Sequence, residues 1–220
     1  MKYAVLIPAY NASHTLGELI SRTVPVISTD NIFVIDDGST DSTAQIAEHH
    51  HVQLLRHHAN RGKGAALQTG FDHCLKLGYD AVITMDADLQ HRPEDIPRFI
   101  ERHRLMRCNI IIGSRLHQLK GMPIHRILSN TITTFLVRAR TGVDVADSQS
   151  GFRFISIDVV KSIRIDSTGY EAETELLIKA ARKGFTVDAI PIDTIYAGEK
   201  SHMKHIETTV HFIRTLFRHY

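Results

Sequence analysis

The sequence predicts an α/β fold built on one mostly parallel central sheet, and three observations support this prediction. Short runs of β-branched residues recur through residues 1–115, and segments with helical spacing of apolar residues lie between them. The runs are apolar throughout instead of alternating with polar residues, as expected for strands that helices cover on both faces. The joints between strand and helix are short, which favours parallel strands joined by helical crossovers.

Strand and helix alternate in order along the first half of the chain. The five predicted strands lie at residues 4–7, 32–35, 52–55, 81–85 and 110–112. One apolar stripe has the spacing of a helix and consists of Leu67, Phe71, Cys74 and Leu75. A second helix is predicted from Ile96 onward, with Pro93 near its first turn.

The second half of the chain is predicted to add less regular elements to the same domain. They are a loop leading into a helix at 122–141, a strand at 152–155, a helix at 171–183, a strand at 185–196 and a helix at about 205–218. Gly184 is expected to end the helix at 171–183. Pro191 has no backbone N–H to donate to a neighbouring strand, so the strand around it is expected at a sheet edge. Because the sequence shows neither a repeat nor a linker, we expect a single domain over residues 1–220.

Composition narrows the classes of function and location. The formal charge of +2 gives no electrostatic reason to expect a nucleic-acid partner. The first apolar run ends at Pro8, too early for a signal peptide, and no window approaches the roughly 20 apolar residues of a membrane span. Cys74 and Cys108 are expected to be buried, reduced thiols. We therefore expect a cytoplasmic protein, and we expect the histidines at 49–51 and 57–58 to be solvated.

Paired carboxylates follow the fourth predicted strand, at Asp86 and Asp88. Ligands of an open parallel sheet collect at the carboxyl ends of its strands. Residues two apart in an extended segment point the same way, and convergent carboxylates repel unless a cation lies between them. Oxygen ligands suit Mg²⁺ or Mn²⁺, and Gln90 and His91 could complete or flank the shell. A solvated turn is the alternative, but the position at a strand end favours a metal site.

Two further segments at strand ends are open to more than one interpretation. In the segment 36–41, Asp37 could hydrogen-bond a nucleobase or ribose, while Gly38 supplies a tight turn and a neighbouring side chain caps the next helix. The segment 60–64 is basic and rich in glycine but lacks the spacing of a Walker A loop. It could face a diphosphate at the start of a helix, or its glycines could be structural.

Seven segments carry a resemblance to a known family: IPAYN (7–11), VIDDGSTD (34–41), NRGKGAA (60–66), MDADLQH (85–91), GSR (113–115), DSQSGFR (147–153) and EAETEL (171–176). Together they resemble family 2 of the glycosyltransferases, which has the GT-A fold. They are similar above all to its dolichol-phosphate mannose synthase and polyprenyl-phosphate hexosyltransferase branch. On this resemblance we expect a nucleotide-sugar-binding half at 1–115 and an acceptor-side half at 116–220.

The resemblance also implies tasks for individual residues. Those that would line the nucleoside pocket are Pro8, Tyr10, Ile35 and Asp37. Those that would contact the sugar nucleotide are Asp86 and Ala87. Those that would hold the divalent metal, Mg²⁺ or Mn²⁺, are Asp88 and Gln90, with Asp88 also counted as catalytic and donor-binding. Those that would engage phosphates of donor or acceptor are Arg115 and Arg126.

The implied reaction is an inverting transfer of a hexose, mannose or glucose, from a GDP- or UDP-hexose to a polyprenyl or dolichyl phosphate or a related lipid. A hydroxyl acceptor would need a general base, for which Asp147 is the candidate. A phosphate monoester, with a second pKa of about 6, is already an anion at pH 7. With a lipid phosphate, Asp147 would therefore orient groups instead, and a plain turn residue is the third interpretation.

Alternative functions and a membrane contact follow from the same residues. A glycosyltransferase acting on a hydroxyl in exopolysaccharide or glycolipid synthesis is the first alternative, and a non-catalytic sugar-nucleotide-binding module is the second. A nucleotidyltransferase would usually carry a glycine-rich loop after its first strand, which the segment 8–11 is not. Peripheral membrane association is expected through two segments if they do not pack as core: the terminal helix, with Ile206, Val210, Ile213, Leu216 and Phe217, and residues 122–140.

Overall fold

The computed structural model describes residues 1–115, 124–193 and 212–218, with the backbone alone for 124–129. Within these residues the strands are β1 (Tyr3–Ala9), β2 (Ile32–Asp36), β3 (Gln53–Arg56), β4 (Ala81–Thr84), β5 (Ile110–Ser114), β6 (Arg153–Ser156) and β7 (Val187–Pro191). The α-helices are α1 (Leu16–Thr23), α2 (Thr43–His49), α3 (Lys63–Lys76), α4 (Ile96–Met106), α5 (Ile124–Thr141), α6 (Ile157–Ser162) and α7 (Ala172–Arg182). Short 3-10 turns at Thr29–Asn31 and Pro93–Asp95 precede β2 and α4, and residues 212–217 are helical.

The strands form one sheet in the order β3-β2-β1-β4-β6-β5-β7. Neighbouring strands are parallel except at β6, which runs antiparallel to both β4 and β5. The predicted α/β fold with a mostly parallel central sheet is therefore confirmed. All five strands predicted for the first half are present, and their ends lie within two residues of the predicted ends.

The apolar character of the strands has its reason in the two layers of helices. Along β1, Ala4 and Leu6 face one core, which α3, α6 and α7 cover, whereas Val5 and Ile7 face a second core beneath α1 and α4. Because successive side chains of a strand point to opposite faces, a strand between two cores has to be apolar at every position. Cys74 lies buried in the first of these cores, and both cysteines are buried thiols, as predicted.

The antiparallel strand β6 decides which residues reach the carboxyl edge of the sheet. Its first residue, Arg153, pairs with Thr84, the last residue of β4. Strands β4 and β5 end at the carboxyl edge of the sheet, and the antiparallel β6 begins there. The residues just before β6 therefore lie beyond the end of β4. The segment 147–152 therefore reaches the predicted ligand edge from the second half of the chain.

The strands and helices predicted for the second half are present where the structure describes them, although β7 is shorter than its predicted strand and α6 was not predicted. The strand predicted at 185–196 is β7, at the edge of the sheet, and Pro191 is its last residue. The helix predicted at 171–183 is α7, and Gly184 follows it with φ +76. Residues 194–211 lie outside the described part of the chain, so the terminal helix predicted at about 205–218 is described only over 212–217. Among the described helices, none combines the length and apolar character that crossing a membrane requires.

Candidate active site

The site is organised around a lysine that lies between two carboxylates from distant parts of the chain. Asp86 lies two residues after β4, Lys63 is the first residue of α3, and Glu173 lies in the first turn of α7. The Nζ of Lys63 is 2.5 Å from Asp86 Oδ1 and 2.8 Å from Glu173 Oε1. The side chains of Lys63 and Glu173 are largely buried, and that of Asp86 is 28% exposed. Asp86 thus already has a cation beside it, the ammonium of Lys63.

The charges of this cluster are mutually stabilised. Burial alone would lower the pKa of Lys63, but the adjacent carboxylates of Asp86 and Glu173 outweigh it and raise that pKa above its ordinary value. Burial would likewise raise the pKa of Asp86, and the ammonium of Lys63 is the main reason that this pKa is lowered instead. Lys63 and Asp86 are therefore both ionised at neutral pH.

Asp88 and Gln90 lie on a tight turn after Asp86. The backbone N–H of Gln90 donates to Asp88 Oδ1 at 3.0 Å, and Leu89 between them adopts φ +60. The motif residues are beyond the end of β4, so the expected extended geometry at 86–88 is replaced by a turn.

A divalent metal fits the chemistry of the groups present. The carboxylates of Asp86 and Asp88 and the amide of Gln90 offer oxygen atoms, which Mg²⁺ and Mn²⁺ prefer. Within residues 1–115, 124–193 and 212–218, no three His, Cys, Asp or Glu side chains cluster as a ready metal cage. Mg²⁺ is usually held by one or two carboxylates, with water and substrate phosphates as further ligands. Asp88 and Gln90 are therefore suited to an ion that a bound diphosphate would share.

His91 flanks the motif and fixes its backbone. It is 1% exposed, stacks on Phe152 with ring centroids 5.1 Å apart, and its Nδ1 accepts a hydrogen bond from the backbone N–H of Asp86 at 3.3 Å. Burial lowers the pKa of His91 to about 4, against the opposing influence of Asp86. The ring is therefore neutral at pH 7, as an accepting nitrogen requires. Of the two tasks expected for His91, the structure supports flanking.

The segment 147–152 packs closely against Asp86. A Cβ added to Gly151 would overlap with the carboxylate of Asp86, so this position needs a glycine for close approach. Arg153, which is 1% exposed, stabilises this segment through hydrogen bonds. Its guanidinium donates to the backbone carbonyl oxygens of Ser148 (2.8 Å), Ser150 (2.7 Å) and Glu173 (2.8 Å).

Arg115 and Asp147, for which the sequence suggested separate roles, form an ion pair. The Nε and Nη2 of Arg115 donate to the two carboxylate oxygens of Asp147 at 2.9 and 3.3 Å, and Asp147 is fully buried. Burial would raise the pKa of Asp147, but Arg115 and backbone N–H donors outweigh it and lower this pKa. A weakly basic, fully engaged carboxylate is poorly suited to proton abstraction. The geometry favours an orienting task for Asp147.

The predicted nucleoside residues differ widely in accessibility. Pro8 is half-buried near the end of β1, and Tyr10 follows the strand with 48% of its surface exposed. Asn11 links this turn to the next one, because its Oδ1 accepts from Thr40 N at 2.9 Å. Ile35 is fully buried in the core beneath α3, and its place beside a base stays a prediction.

Asp37 and His57 support the glycine-rich segment instead of lying open to solvent. Asp37 Oδ1 accepts from the backbone N–H of Arg61 at 2.9 Å, and its Oδ2 accepts from that of Gly62 at 2.7 Å. His57 Nδ1 is 2.6 Å from Asp37 Oδ1, and His57 Nε2 is 2.9 Å from the hydroxyl of Thr69. The solvated position expected for His57 is therefore wrong, since this ring is buried. A nucleoside contact through Asp37 would share an oxygen that the segment already uses.

Both interpretations of the segment 60–64 find support. Gly62 has φ +92, and a Cβ on Gly62 or Gly64 would overlap with backbone atoms of Thr168 or Ser167. These glycines are therefore needed for close packing. Lys63 lies between them and contacts Asp86, so this helix start brings a basic group to the carboxyl edge of the sheet.

Arg126 and a cavity beside β2 and β3 are the remaining features near the site. Arg126 belongs to the part of α5 whose side chains are not described, so its predicted phosphate contact lies outside the described residues. A cavity of about 470 Å³ opens beside the ends of β2 and β3, lined by Gly38, Ser39, Thr40, Arg56, His57 and His58. In the sheet order β3-β2-β1-β4, strand β1 lies between the strands beside this cavity and β4, which Asp86 follows.

Sequence reasoning did not assign Lys63, Glu173 or Arg153 to the site. For Arg153 a signal existed, because a charged residue between two phenylalanines in a predicted buried strand must be paired. For Lys63 and Glu173 the segments were recognised, but their convergence depends on how α3 and α7 pack.

Comparisons with known proteins agree with this geometry. A model of the family described as glycosyl transferase family 2 matches residues 4–164. A UDP-N-acetylglucosamine–dolichyl-phosphate N-acetylglucosaminyltransferase of Methanococcus voltae is 31% identical, with 87% of this chain and 85% of the relative covered. A polyprenol monophosphomannose synthase of Mycolicibacterium smegmatis is 32% identical, with 86% of this chain and 75% of the relative covered.

A solved structure supports the fold. Glucosyl-3-phosphoglycerate synthase from Mycobacterium tuberculosis, in complex with Mn²⁺, uridine diphosphate and phosphoglyceric acid, matches with a TM-score of 0.79. The match covers 98% of this chain and 77% of that chain at 19% identity. The GT-A fold expected from the resemblance is thereby confirmed.

Proposed function

Because the chain belongs to glycosyltransferase family 2, in its dolichol-phosphate mannose synthase-like and polyprenyl-phosphate hexosyltransferase-like branch, we propose that it transfers a hexose from a nucleotide-diphosphate sugar to a polyprenyl or dolichyl phosphate. The transfer is a direct displacement that inverts the anomeric carbon. The observation that carries the proposal is the cluster of Lys63, Asp86 and Glu173 beside Asp88, at the carboxyl edge of the sheet.

Each residue of the donor half has a task in this proposal. Pro8 and Tyr10 contact the nucleoside, and Asp86 faces the sugar nucleotide while Lys63 offers its ammonium to the diphosphate. Asp88 and Gln90 hold Mg²⁺ or Mn²⁺, which when bound stabilises the charge that develops on the leaving diphosphate.

Two hydrogen bonds fix the backbone at Asp86 and Ala87. The hydroxyl of Thr15 donates to the carbonyl oxygen of Ala87 at 2.5 Å, and His91 accepts from the N–H of Asp86. Ala87 contributes its backbone next to the donor, since the residue as a whole is only 9% exposed.

The state of Asp147 favours a phosphate acceptor over a hydroxyl acceptor. A lipid phosphate with a second pKa of about 6 attacks as an anion and needs no base. Asp147, ion-paired with Arg115 and with a lowered pKa, is suited to holding that guanidinium toward a phosphate. Arg126 is proposed as a second phosphate contact from the start of α5.

The first test is a matrix of donors and acceptors. Purified protein with Mn²⁺ is incubated with GDP-mannose, UDP-glucose or UDP-N-acetylglucosamine, and with polyprenyl phosphate or the matching polyprenol. We expect mass spectrometry to detect a glycosyl polyprenyl phosphate with at least one donor and no glycosylated polyprenol. Transfer to the polyprenol alone would favour the hydroxyl-acceptor alternative. Donor binding without transfer or hydrolysis would indicate a non-catalytic binding module.

The proposal includes attachment to the cytoplasmic face of a membrane through α5 and the helical residues 212–217. Arg140 Nε donates to the carbonyl oxygen of Leu216 at 3.1 Å, which brings the two helices together. Among the side chains of these helices that the structure describes, the inner ones are buried and four large apolar ones are exposed: Ile132 (49%), Phe135 (67%), Ile213 (46%) and Phe217 (69%). Exposed arginines also lie on these helices at 138 and 214, and directly after the second helix at 218. Exposed aromatic and basic side chains together suit the surface of an anionic bilayer.

Vesicle sedimentation tests this attachment. We expect the protein to pellet with vesicles of anionic phospholipid at low salt, and the double variant Phe135→Ser/Phe217→Ser to remain largely in the supernatant. Leu105→Ser is the matched control, because Leu105 is 71% exposed on α4 and lies outside the proposed surface. Equal pelleting of the double variant and the wild type would contradict this surface.

A further inference from the structure

Glu175 is a fully buried carboxylate that the proposed reaction does not use. It lies on α7, and its two oxygens accept hydrogen bonds from the backbone N–H groups of Asp166 (3.0 Å) and Ser167 (2.7 Å). Lys179, one turn further along the helix, forms an ion pair with it. The carboxylate thus fastens the segment 166–168, which connects α6 to α7, to the inner face of α7.

The segment 166–168 in turn supports the backbone on both sides of Lys63. Gly64 N–H donates to the carbonyl oxygen of Thr168 at 2.7 Å. Gly62 and Gly64 approach Thr168 and Ser167 so closely that a Cβ on either glycine would overlap with their backbone atoms. The segment is also tied to α3 just upstream, because Ile165 N–H donates to Gln68 Oε1 at 2.8 Å.

We propose that Glu175 is a positioning residue for Lys63. By fixing the segment 166–168, its carboxylate sets the backbone from which the Lys63 side chain extends to Asp86 and Glu173. This inference rests on the proposed function, because that function assigns the ammonium of Lys63 to the donor diphosphate.

The proposal has two physical reasons, one in the flexibility of the Lys63 side chain and one in the hydrogen-bond donors around Glu175. A lysine side chain has several rotatable bonds, so the direction of its ammonium depends on a fixed backbone. Two backbone N–H groups and an ammonium contact the Glu175 carboxylate, and all three of these partners are donors. Glutamine would present its own N–H₂ group to one of these donors, and the segment would shift to avoid that contact.

The test measures binding of a nucleoside diphosphate by calorimetry, with Mn²⁺ present, to the wild type and to Glu175→Gln. We use GDP and UDP as probes. We expect Glu175→Gln to bind the better probe about tenfold more weakly, since an oriented charge-assisted contact is lost. In steady-state assays the KM for the donor should rise by a similar factor, with a smaller change in kcat.

A double-mutant cycle separates positioning from a general effect on the fold. In a Lys63→Met background, adding Glu175→Gln should weaken probe binding no further, because the group that Glu175 positions is already absent. Glu171→Gln is the matched control: it lies at the start of the same helix and binds the backbone of Gly169, outside the segment 166–168. This control should bind the probe like the wild type.

Two outcomes would overturn the inference while the proposed function stands: wild-type binding by Glu175→Gln, or an undiminished tenfold loss on adding it to Lys63→Met. Failure of the wild type to bind either probe would instead remove the proposed function, and this inference with it. If Glu175→Gln does not fold, as judged by circular dichroism, Glu175→Asp takes its place. It keeps the charge on a shorter side chain and should weaken binding less than tenfold but measurably, whereas unchanged binding would overturn the inference.

Discussion

Replacing Asp88 with asparagine is expected to lower the rate of sugar transfer about a thousandfold, because weakening the proposed metal site would remove several kcal/mol of transition-state stabilisation. The design keeps the local structure intact. Asp88 Oδ1 accepts the backbone N–H of Gln90 at 3.0 Å, and the amide oxygen of asparagine can accept the same hydrogen bond. What the substitution removes is the negative charge that would hold the cation.

Three measurements define this result for Asp88→Asn. The transfer rate should fall, the Mn²⁺ concentration for half-maximal activity should rise, and the melting temperature should stay within a few degrees of the wild type. Asp158→Asn is the control, since Asp158 is exposed at the start of α6, at the opposite edge of the sheet. Turnover of Asp88→Asn within a few-fold of the wild type, with the same Mn²⁺ dependence, would refute the assigned role.

Replacing Arg153 with methionine is expected to lower the free energy of unfolding by about 3 kcal/mol, because three buried, charge-assisted hydrogen bonds are lost. For a chain of this size that corresponds to a Tm lower by about 6–12 °C. Lysine at this position is expected to be poor as well, since one ammonium cannot reproduce the fork that reaches Ser148, Ser150 and Glu173.

Thermal unfolding followed by circular dichroism measures the effect of Arg153→Met. Arg164→Met serves as the control, because the side chain of Arg164 is 72% exposed and its nearest carboxylate oxygen is 3.8 Å away. This control should change the free energy of unfolding by less than about 0.5 kcal/mol. A Tm for Arg153→Met equal to that of the control would show that the buried guanidinium contributes little to stability.

The parts of the fold that sequence predicted are those with a local cause. A run such as 81–85 is apolar because both of its faces are covered, and that pattern is visible without knowing the partners. The position of Asp86 and Asp88 followed in the same way, since their place after a strand put them at the ligand edge. Pro191 placed its strand at the sheet edge because it lacks an N–H.

The parts that sequence missed depend on contacts between distant segments. His57 is buried because Asp37 and Thr69 converge on it, which a pair of adjacent histidines does not reveal. Ile35 faces the core beneath α3, because neighbouring strand residues point to opposite faces of the sheet. Arg115 and Asp147 were expected to act separately, and their ion pair depends on the segment before β6 reaching the end of β5.

The place of β6 in the sheet also governs the order in which the chain can fold as it is synthesised. Strands β1 to β4 pair among themselves, so their part of the sheet can form as soon as they have emerged. By contrast β5 pairs with β6 and β7, both of which are made later. Until β6 arrives, the outer edge of β4 and both edges of β5 remain open.

Open apolar edges are templates for pairing with other chains. A nascent or truncated chain that stops before residue 153 therefore exposes three such edges at once. When β6 is added, it pairs with β4 on one side and β5 on the other, so two of these edges are covered together. The strand whose reversed direction carries Gly151 and Asp147 to the active site is thus also the one that protects the half-made sheet from aggregation.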